Sequence, residues 1–303
     1  MTKTVWSGGS ITDDGWFVED DTQWPGHRQA LKVLEILYQG KSRFQDVLVF
    51  KSQCHGNVLV LDGVVQLTER DEAAYQEMLT HIPMMLHPNP KNVLIIGGGD
   101  GGIIREVARY ASVESITICE IDDVVMDVCK RFFPTMSASW KDPRLSVVCD
   151  DASVYVKDPS LRGTFDVILS DTSDPNGPAR PLFEKPFYSD LRELLRPGGL
   201  VCTQSESIWT HLPLIKRLVQ NGRELFGCAQ YATTQVPTYP GGQIGFLVCR
   251  RSDERLQETD DMTVIRNTAG TDSSFLQALS YYSPDLHRAA FTLPAFVARE
   301  LTN

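Results

Sequence analysis

Val93-Leu94-Ile95-Ile96-Gly97-Gly98-Gly99-Asp100-Gly101-Gly102 is the stretch on which the fold turns. An unbroken apolar run reads as a strand buried on both faces, and Ile103–Tyr110 behind the glycines has helical spacing. Gly97, Gly99 and Gly102 satisfy G-x-G-x-x-G. Glu120 closes the next strand, Ser115–Glu120, about 20 residues on, where a ribose-binding carboxylate belongs. The glycines permit a tight turn and let a ligand approach the backbone. Strand, loop, helix and acid together predict a nucleoside site at the first turn of a parallel α/β sheet.

The alternation continues downstream. A helix is expected over Asp123–Phe133, strands over Leu145–Cys149 and Phe165–Ser170, and a helix about Tyr188–Leu195. A strand over Leu200–Thr203 and a helix over Ile208–Phe226 follow, then Ala229–Val236 and Gln243–Cys249 as a closing antiparallel pair. Alternating β and α with apolar strands predicts a Rossmann-like sheet covered on both faces. Upstream, Glu69 to Leu86 looks helical. Val47–Phe50, Val58–Leu61 and Val64–Leu67 are short β-rich runs, the last two joined by Asp62-Gly63, a hairpin dipeptide. The stripe Leu31, Leu34, Leu37 predicts a helix from Gln29 to Tyr38. The expected organisation is an antiparallel β domain with one helix over residues 1–70 and the α/β domain over 71–303.

A chain of 303 residues has room for two such domains. Seven scattered cysteines without a CxxC suggest reduced, mostly buried thiols, and six histidines without ligand spacing suggest structural or surface roles and no metal. No apolar run is long enough to cross a membrane, and MTKTVWSGGS has no signal core, so a cytoplasmic location is expected. The balance of 39 acidic to 29 basic residues, with no basic run, speaks against a nucleic-acid partner.

Electrostatics narrows the ligand. A pyrophosphate at a helix start wants positive potential, yet Asp100 places a carboxylate there. Two like charges 4 Å apart repel by about 4 kcal/mol at an effective dielectric of 20. A dinucleotide is disfavoured and a sulfonium nucleoside favoured. Strand Phe165–Ser170 runs into Asp171-Thr172-Ser173-Asp174-Pro175, and carboxyl strand ends are where open α/β sheets bind ligands. Asp171 and Asp174 are therefore expected to share a crevice with Asp100 and to suit a divalent metal or a polycation, although 171–178 resembles no EF-hand loop. Tyr75, and Tyr239 between Pro237 and Pro240, offer rings for a methylene chain with ammonium ends.

Further stretches carry a resemblance. Trp24-Pro-Gly26, Phe44-Gln-Asp46, Leu61-Asp-Gly63, Thr68-Glu-Arg-Asp-Glu72, Tyr75-Gln-Glu-Met78 and Ile95–Gly102 are similar to spermidine synthases. So are Asp171-Thr-Ser-Asp-Pro175, Pro237-Thr-Tyr-Pro240 and Asp285-Leu-His-Arg-Ala-Ala-Phe291. The resemblance spans roughly residues 15–300. It implies a β-stranded N-terminal domain, a methyltransferase-type Rossmann-like domain and a homodimer. It also implies transfer of an aminopropyl group from decarboxylated S-adenosylmethionine, a co-substrate, to putrescine, with no prosthetic group. By resemblance Asp171 is the proton acceptor, and Asp174, Tyr75 and Tyr239 hold the amine with Trp24 nearby. Gln45, Gln76, Gly97, Gly99, Asp100, Glu120, Asp151 and Ala152 hold the donor, Glu120 at the ribose and Asp151 near the adenine amino group. The family usually reads Gly-Asp-Gly where this chain has Asp150-Asp151-Ala152. Alternatives are a spermine-forming enzyme, which needs a longer pocket, and a putrescine N-methyltransferase, a family that tends to lose the Asp of the Gly-rich loop. A catalytically silent subunit should have lost Asp171, Asp174 or Tyr239, and all three are present.

Overall fold

The structure is a computed structural model that describes residues 5–6, 9–19, 21–175, 177–252, 261–267 and 273–302. Seven antiparallel strands come first, in sheet order β1 to β7: β1 (Val5–Trp6), β2 (Gly9–Ile11), β3 (Trp16–Glu19), β4 (Ala30–Lys41), β5 (Asp46–Ser52), β6 (Asn57–Leu61) and β7 (Val64–Thr68). Asp62 and Gly63, both with positive φ, form the two-residue turn that pairs Leu61 with Val64. That is the hairpin geometry an Asp-Gly dipeptide favours.

The segment expected as a helix, Gln29–Tyr38, is instead mostly β4, paired with β3 and β5. Two register shifts against β5, between Val33 and Glu35 and between Ile36 and Tyr38, explain the misreading. Each irregularity displaces the alternation of faces, so the apolar residues fall at spacings that imitate a helical stripe. Among the described residues before Glu72 there is no helix.

Helix α1 (Glu72–Leu86) leads into the second sheet through β8 (Asn92–Gly97), α2 (Gly102–Ala108), β9 (Ser115–Cys119), α3 (Asp123–Phe132), β10 (Leu145–Val148) and α4 (Ala152–Tyr155). Then come β11 (Phe165–Asp171), α5 (Lys185–Leu194), β12 (Leu195–Gln204), α6 (Leu212–Phe226), β13 (Gly227–Gln235) and β14 (Gln243–Arg251). Short helices α7 (Ser273–Gln277), α8 (Pro284–Ala290) and α9 (Ala295–Thr302) close the chain. Strand order is β10-β9-β8-β11-β12-β14-β13, parallel except for β14, which runs antiparallel to both neighbours. Order reverses between β8 and β11, the switch point where such sheets open a crevice.

Apolar layers cover both faces of this sheet, one gathering Met78, Ile82, Ile103 and Ile104, the other Leu191, Leu194, Leu218 and Phe226. A third cluster joins the sheets. Val47, Val49, Leu59 and Leu67 of the first pack against Val125, Val128 and Cys129 of α3 and against Phe133. Alternate residues Leu48 and Phe50 of β5 point to the opposite face, beside Phe17. This two-sided use of β5 makes the first sheet a wall over the switch point. Five of the seven cysteines are buried, and all seven are free thiols.

Candidate active site

A cavity of about 690 Å³ opens at the switch point between the two sheets. All thirteen residues singled out from the sequence line it: Trp24, Gln45, Tyr75, Gln76, Gly97, Gly99, Asp100, Glu120, Asp151, Ala152, Asp171, Asp174 and Tyr239. Among the described lining residues there is no lysine or arginine.

The Gly-rich loop sets the first half. Gly97 has φ +72° and sits in register with Asp171 across β8 and β11; a Cβ there would drive into the Asp171 carbonyl oxygen. Backbone clash and a left-handed φ act together, so Gly97→Ala is expected to cost about 3 kcal/mol or more in denaturant unfolding. A loss under about 1 kcal/mol would mean that the loop relaxes freely. Asp100 accepts the Gly102 N–H (2.6 Å) and the Gln76 side-chain amide (2.9 Å). The other end of that amide, Gln76 Oε1, is buried without a partner. Glu120 accepts the N–H groups of Gly99 (3.1 Å) and Asp122 (2.9 Å), which fix it beside the loop. Gln45, from the first sheet, donates to Asp122 (2.9 Å) and so reaches the acid next to Glu120. Asp151 caps α4 through the Ser153 N–H (2.8 Å), while Asp150 accepts the Asp151 N–H.

The second half stands at the end of β11. Asp171 accepts the Tyr75 hydroxyl at 2.5 Å. The Tyr75 and Tyr239 rings meet edge-on, centroids 5.9 Å apart, and the Tyr239 hydroxyl donates to the Gln66 carbonyl rather than to an acid. Asp71 ties this corner together. Its carboxylate accepts the Thr68 hydroxyl at 2.6 Å, and the Thr238 N–H and hydroxyl at 3.0 and 2.8 Å. Asp174 accepts the Gln23 side-chain amide (2.7 Å), so the segment carrying Trp24 closes over it. Asn176, just beyond, lies outside the described residues.

Acids crowded into one cleft resist ionisation. Burial and then the Asp100 charge push Asp171 up to about 7, against the Tyr75 hydroxyl, which lowers it. Burial and then Glu206 raise Asp174 to about 8. Burial takes Glu120 to about 7 and also raises Asp100. Such a cleft is built to be neutralised by cations.

Glu206, His211 and Gln23 are among the lining residues that escaped the sequence reading. Glu206, with φ +66°, lies two residues past β12, and Gln204 donates to it (3.3 Å). It also faces Asp174, and it pairs with His211 at 2.9 Å, whose imidazole the Glu206 carboxylate holds above its ordinary value. His211 is thus a cavity residue and not only a structural or surface histidine. The rule that flagged Asp171, an acid at a carboxyl strand end, also points to Glu206; nothing in the sequence pointed to Gln23. Among the described residues no cluster of His, Cys, Asp and Glu is arranged to hold a metal ion.

Comparison with known proteins places this geometry. The family model described as the spermine/spermidine synthase domain matches residues 72–259, and that of the spermidine synthase tetramerisation domain matches 15–69. Spermidine synthase 2 of Arabidopsis thaliana is 50% identical over 289 residues, covering 94% of this chain and 84% of that one. Spermidine synthase of Coffea arabica is 50% identical over 293 residues, covering 96% and 92%. A solved spermidine synthase in complex with the transition state analogue AdoDATO superposes with a TM-score of 0.85 at 31% identity, covering 97% of each chain. The enzyme from Thermotoga maritima gives 0.83 at 31%, covering 97% and 96%. With half its residues shared along almost its whole length, and with the acid-lined crevice where the motifs put it, the chain belongs to the spermidine synthase family.

Proposed function

We propose that the cavity transfers the aminopropyl group of decarboxylated S-adenosylmethionine to putrescine, giving spermidine and methylthioadenosine. The observation that carries this reading is an acid-walled cleft with no lysine or arginine among its described lining residues, in which Asp100 and Asp171 stand at the ends of adjacent strands. In this reading Glu120 takes the ribose, Asp151 the adenine amino group, and Asp100 with Gln76 the ammonium of the aminopropyl arm. Gln45, Gly97, Gly99 and Ala152 complete the donor wall. Tyr75, Tyr239 and Trp24 line the tetramethylene chain, and Asp174 anchors its far ammonium.

The chemistry follows from those positions. An amine with a pKa near 10.4 is protonated at neutral pH and has no lone pair to attack with. Asp171, at the attacking end, takes the proton as nitrogen bonds to the carbon next to sulfur. The carbon–sulfur bond breaks and its electron pair stays on sulfur, which leaves as a neutral thioether. Displacement of so good a leaving group asks chiefly for alignment.

Steady-state assays of both sulfonium donors against putrescine, spermidine and cadaverine test the reading. Putrescine with the decarboxylated donor is expected to lead; methyl transfer, or preference for spermidine, would overturn it. Proton linkage gives a second check. Because the folded-state carboxyl values lie above the ordinary ones, the unliganded cleft holds extra protons between pH about 4 and 7–8. Folding is therefore penalised as pH rises through that window, and a bound dication relieves the penalty. Putrescine binding at neutral pH is expected to release about one proton, read by calorimetry in buffers of different ionisation enthalpy. Zero release would place the amine elsewhere.

Residues 1–70 serve in this reading as the cleft's lid and as an assembly surface, and 71–303 as the transferase unit. Leu34 and Ile36 of β4 are 59% and 47% exposed, and they suit self-association. The resemblance suggests a homodimer, and the family description of 15–69 points to a tetramer. Light scattering distinguishes them. Seven free thiols suit the reducing cytoplasm. No helix among the described residues is long and apolar enough to cross a membrane.

A further inference from the structure

A titratable group at the far end of the amine subsite has no part in the transfer described above. Among the described lining residues of the cavity, His211 is the only side chain that can become a cation. It directly precedes α6, but its side chain does not cap that helix. It turns instead to Glu206, with Nδ1 standing 2.9 Å from the carboxylate; the His211 and Glu206 side chains are 27% and 3% exposed. Glu206 is fixed for this contact. Its backbone is left-handed (φ +66°), its carbonyl accepts the Tyr231 hydroxyl (2.6 Å) and the Gly245 N–H (2.9 Å), and Gln204 donates to its carboxylate (3.3 Å). Such backbones persist in non-glycine residues only where the surroundings over-determine them, and they gather at ligand sites. A carboxylate buried this deeply needs a cation, and His211 is placed to supply it.

We propose that the His211 imidazolium, paired with Glu206, sets the acceptor length of the cleft: it leaves Asp174 to the second ammonium of a diamine and repels the third ammonium of a triamine. The inference rests on the reading that Asp171 and Asp174 hold the two ends of putrescine. Spermidine bound by its aminobutyl end would set its secondary ammonium at Asp174. Its aminopropyl arm would then project past Asp174 toward Glu206 and His211, which Asp174 faces. The Glu206 charge that could receive this arm is already neutralised. Two positive charges therefore meet where solvent screens them only in part. The titratable groups facing His211 among the described residues are Glu206, after β12, and Asp174, after β11; the Thr210 hydroxyl oxygen lies 2.9 Å from the same Nδ1. Glu206 is faced in turn by Asp174 and by Tyr231 of β13, and Asp174 by Tyr239 of the β13–β14 turn. None of these others is a cation, so the selection against a longer polyamine falls to one imidazole.

The test measures kcat/KM for putrescine, spermidine and N-butylputrescine at saturating decarboxylated donor, on the full chain and its variants, from about pH 6 to 9. N-butylputrescine has the length of spermidine but ends in a methyl group in place of the third ammonium. His211→Gln removes the charge, and the spermidine-to-putrescine ratio is expected to rise about tenfold at neutral pH. In the wild type Glu206 holds the imidazole above its ordinary value, so the charge is present at the acid end of the range and is lost as pH rises through that value. The wild-type ratio is therefore expected to climb with pH relative to that of His211→Gln, whose own profile carries the titration of the amines. His211→Lys, a cation throughout the range, is expected to keep the ratio low at every pH. The N-butylputrescine ratio should stay within about twofold across the three proteins. A spermidine ratio indifferent to His211→Gln would overturn the inference. So would an N-butylputrescine ratio that rises with it, since the effect would then be one of space. Should His211→Gln fail to fold by circular dichroism, the wild-type profile set against that of His211→Lys decides, and parallel profiles overturn the inference. Absence of aminopropyl transfer to putrescine in the wild type would instead overturn the proposed function.

Discussion

Asp171→Asn is expected to lower turnover by about 10²–10⁴-fold while donor affinity stays within about threefold. Asparagine preserves the shape of the side chain and still accepts the Tyr75 hydroxyl, which stands 2.5 Å from Asp171, so the corner of the cleft keeps its packing. What is lost is the base. The incoming amine then has to shed its proton with no carboxylate in place to receive it. Stopped-time assays at saturating donor and putrescine, paired with donor calorimetry, measure both terms. Turnover above about a third of wild type would make Asp171 a binding group only. The same contact gives the sign of a companion variant. The Tyr75 hydroxyl lowers the Asp171 carboxyl from where burial and Asp100 push it, so Tyr75→Phe should move the acid limb of the rate profile to higher pH.

Asp100→Asn is the second large effect, and it falls on choice of donor. Decarboxylated S-adenosylmethionine ends in a lone ammonium; S-adenosylmethionine adds a carboxylate. The Asp100 carboxylate, held by Gln76 and the Gly102 N–H, attracts the first and repels the second. A partly shielded charge pair worth about 3 kcal/mol is about two decades in affinity. Wild type is expected to prefer the decarboxylated donor by that order, and the variant to lose most of the preference through weaker binding of that donor. Equal wild-type affinities for the two donors, by calorimetric titration, would remove Asp100 from donor selection.

The α/β half was legible because its signals are local. An apolar run, a Gly-rich turn and an acid at the next strand end each stand a few residues apart, and the parallel-sheet rules do the rest. Legibility failed where geometry depends on partners distant in sequence. β4 carries irregularities imposed by its pairing with β5, and these scrambled the alternation that marks a strand. Glu206 lay within reach of the strand-end rule, but its pairing with His211, five residues on, depends on a left-handed φ at Glu206 that Ser205-Glu206-Ser207 does not announce. Gln23 meets Asp174 across 151 positions of chain. Even for the residues singled out from the sequence, which all line the cavity, the sequence was silent on bonding. Tyr239 spends its hydroxyl on Gln66, and Gln45 spends its amide on Asp122.

In the proposed reading, Asp71 gives the amine end of the cleft its character. It receives Thr68 from the last strand of the first sheet and Thr238 from the turn that presents Tyr239, just where α1 with Tyr75 begins. The two aromatic walls are thereby set relative to each other before any substrate arrives. A diamine entering between them freezes its own rotors but need not order the loop that grips it. Affinity that would otherwise be lost to conformational entropy, about 0.5–1.5 kcal/mol for each side chain immobilised, is retained. A flexible four-carbon chain, with so little apolar surface to offer, depends on that saving more than a rigid ligand would.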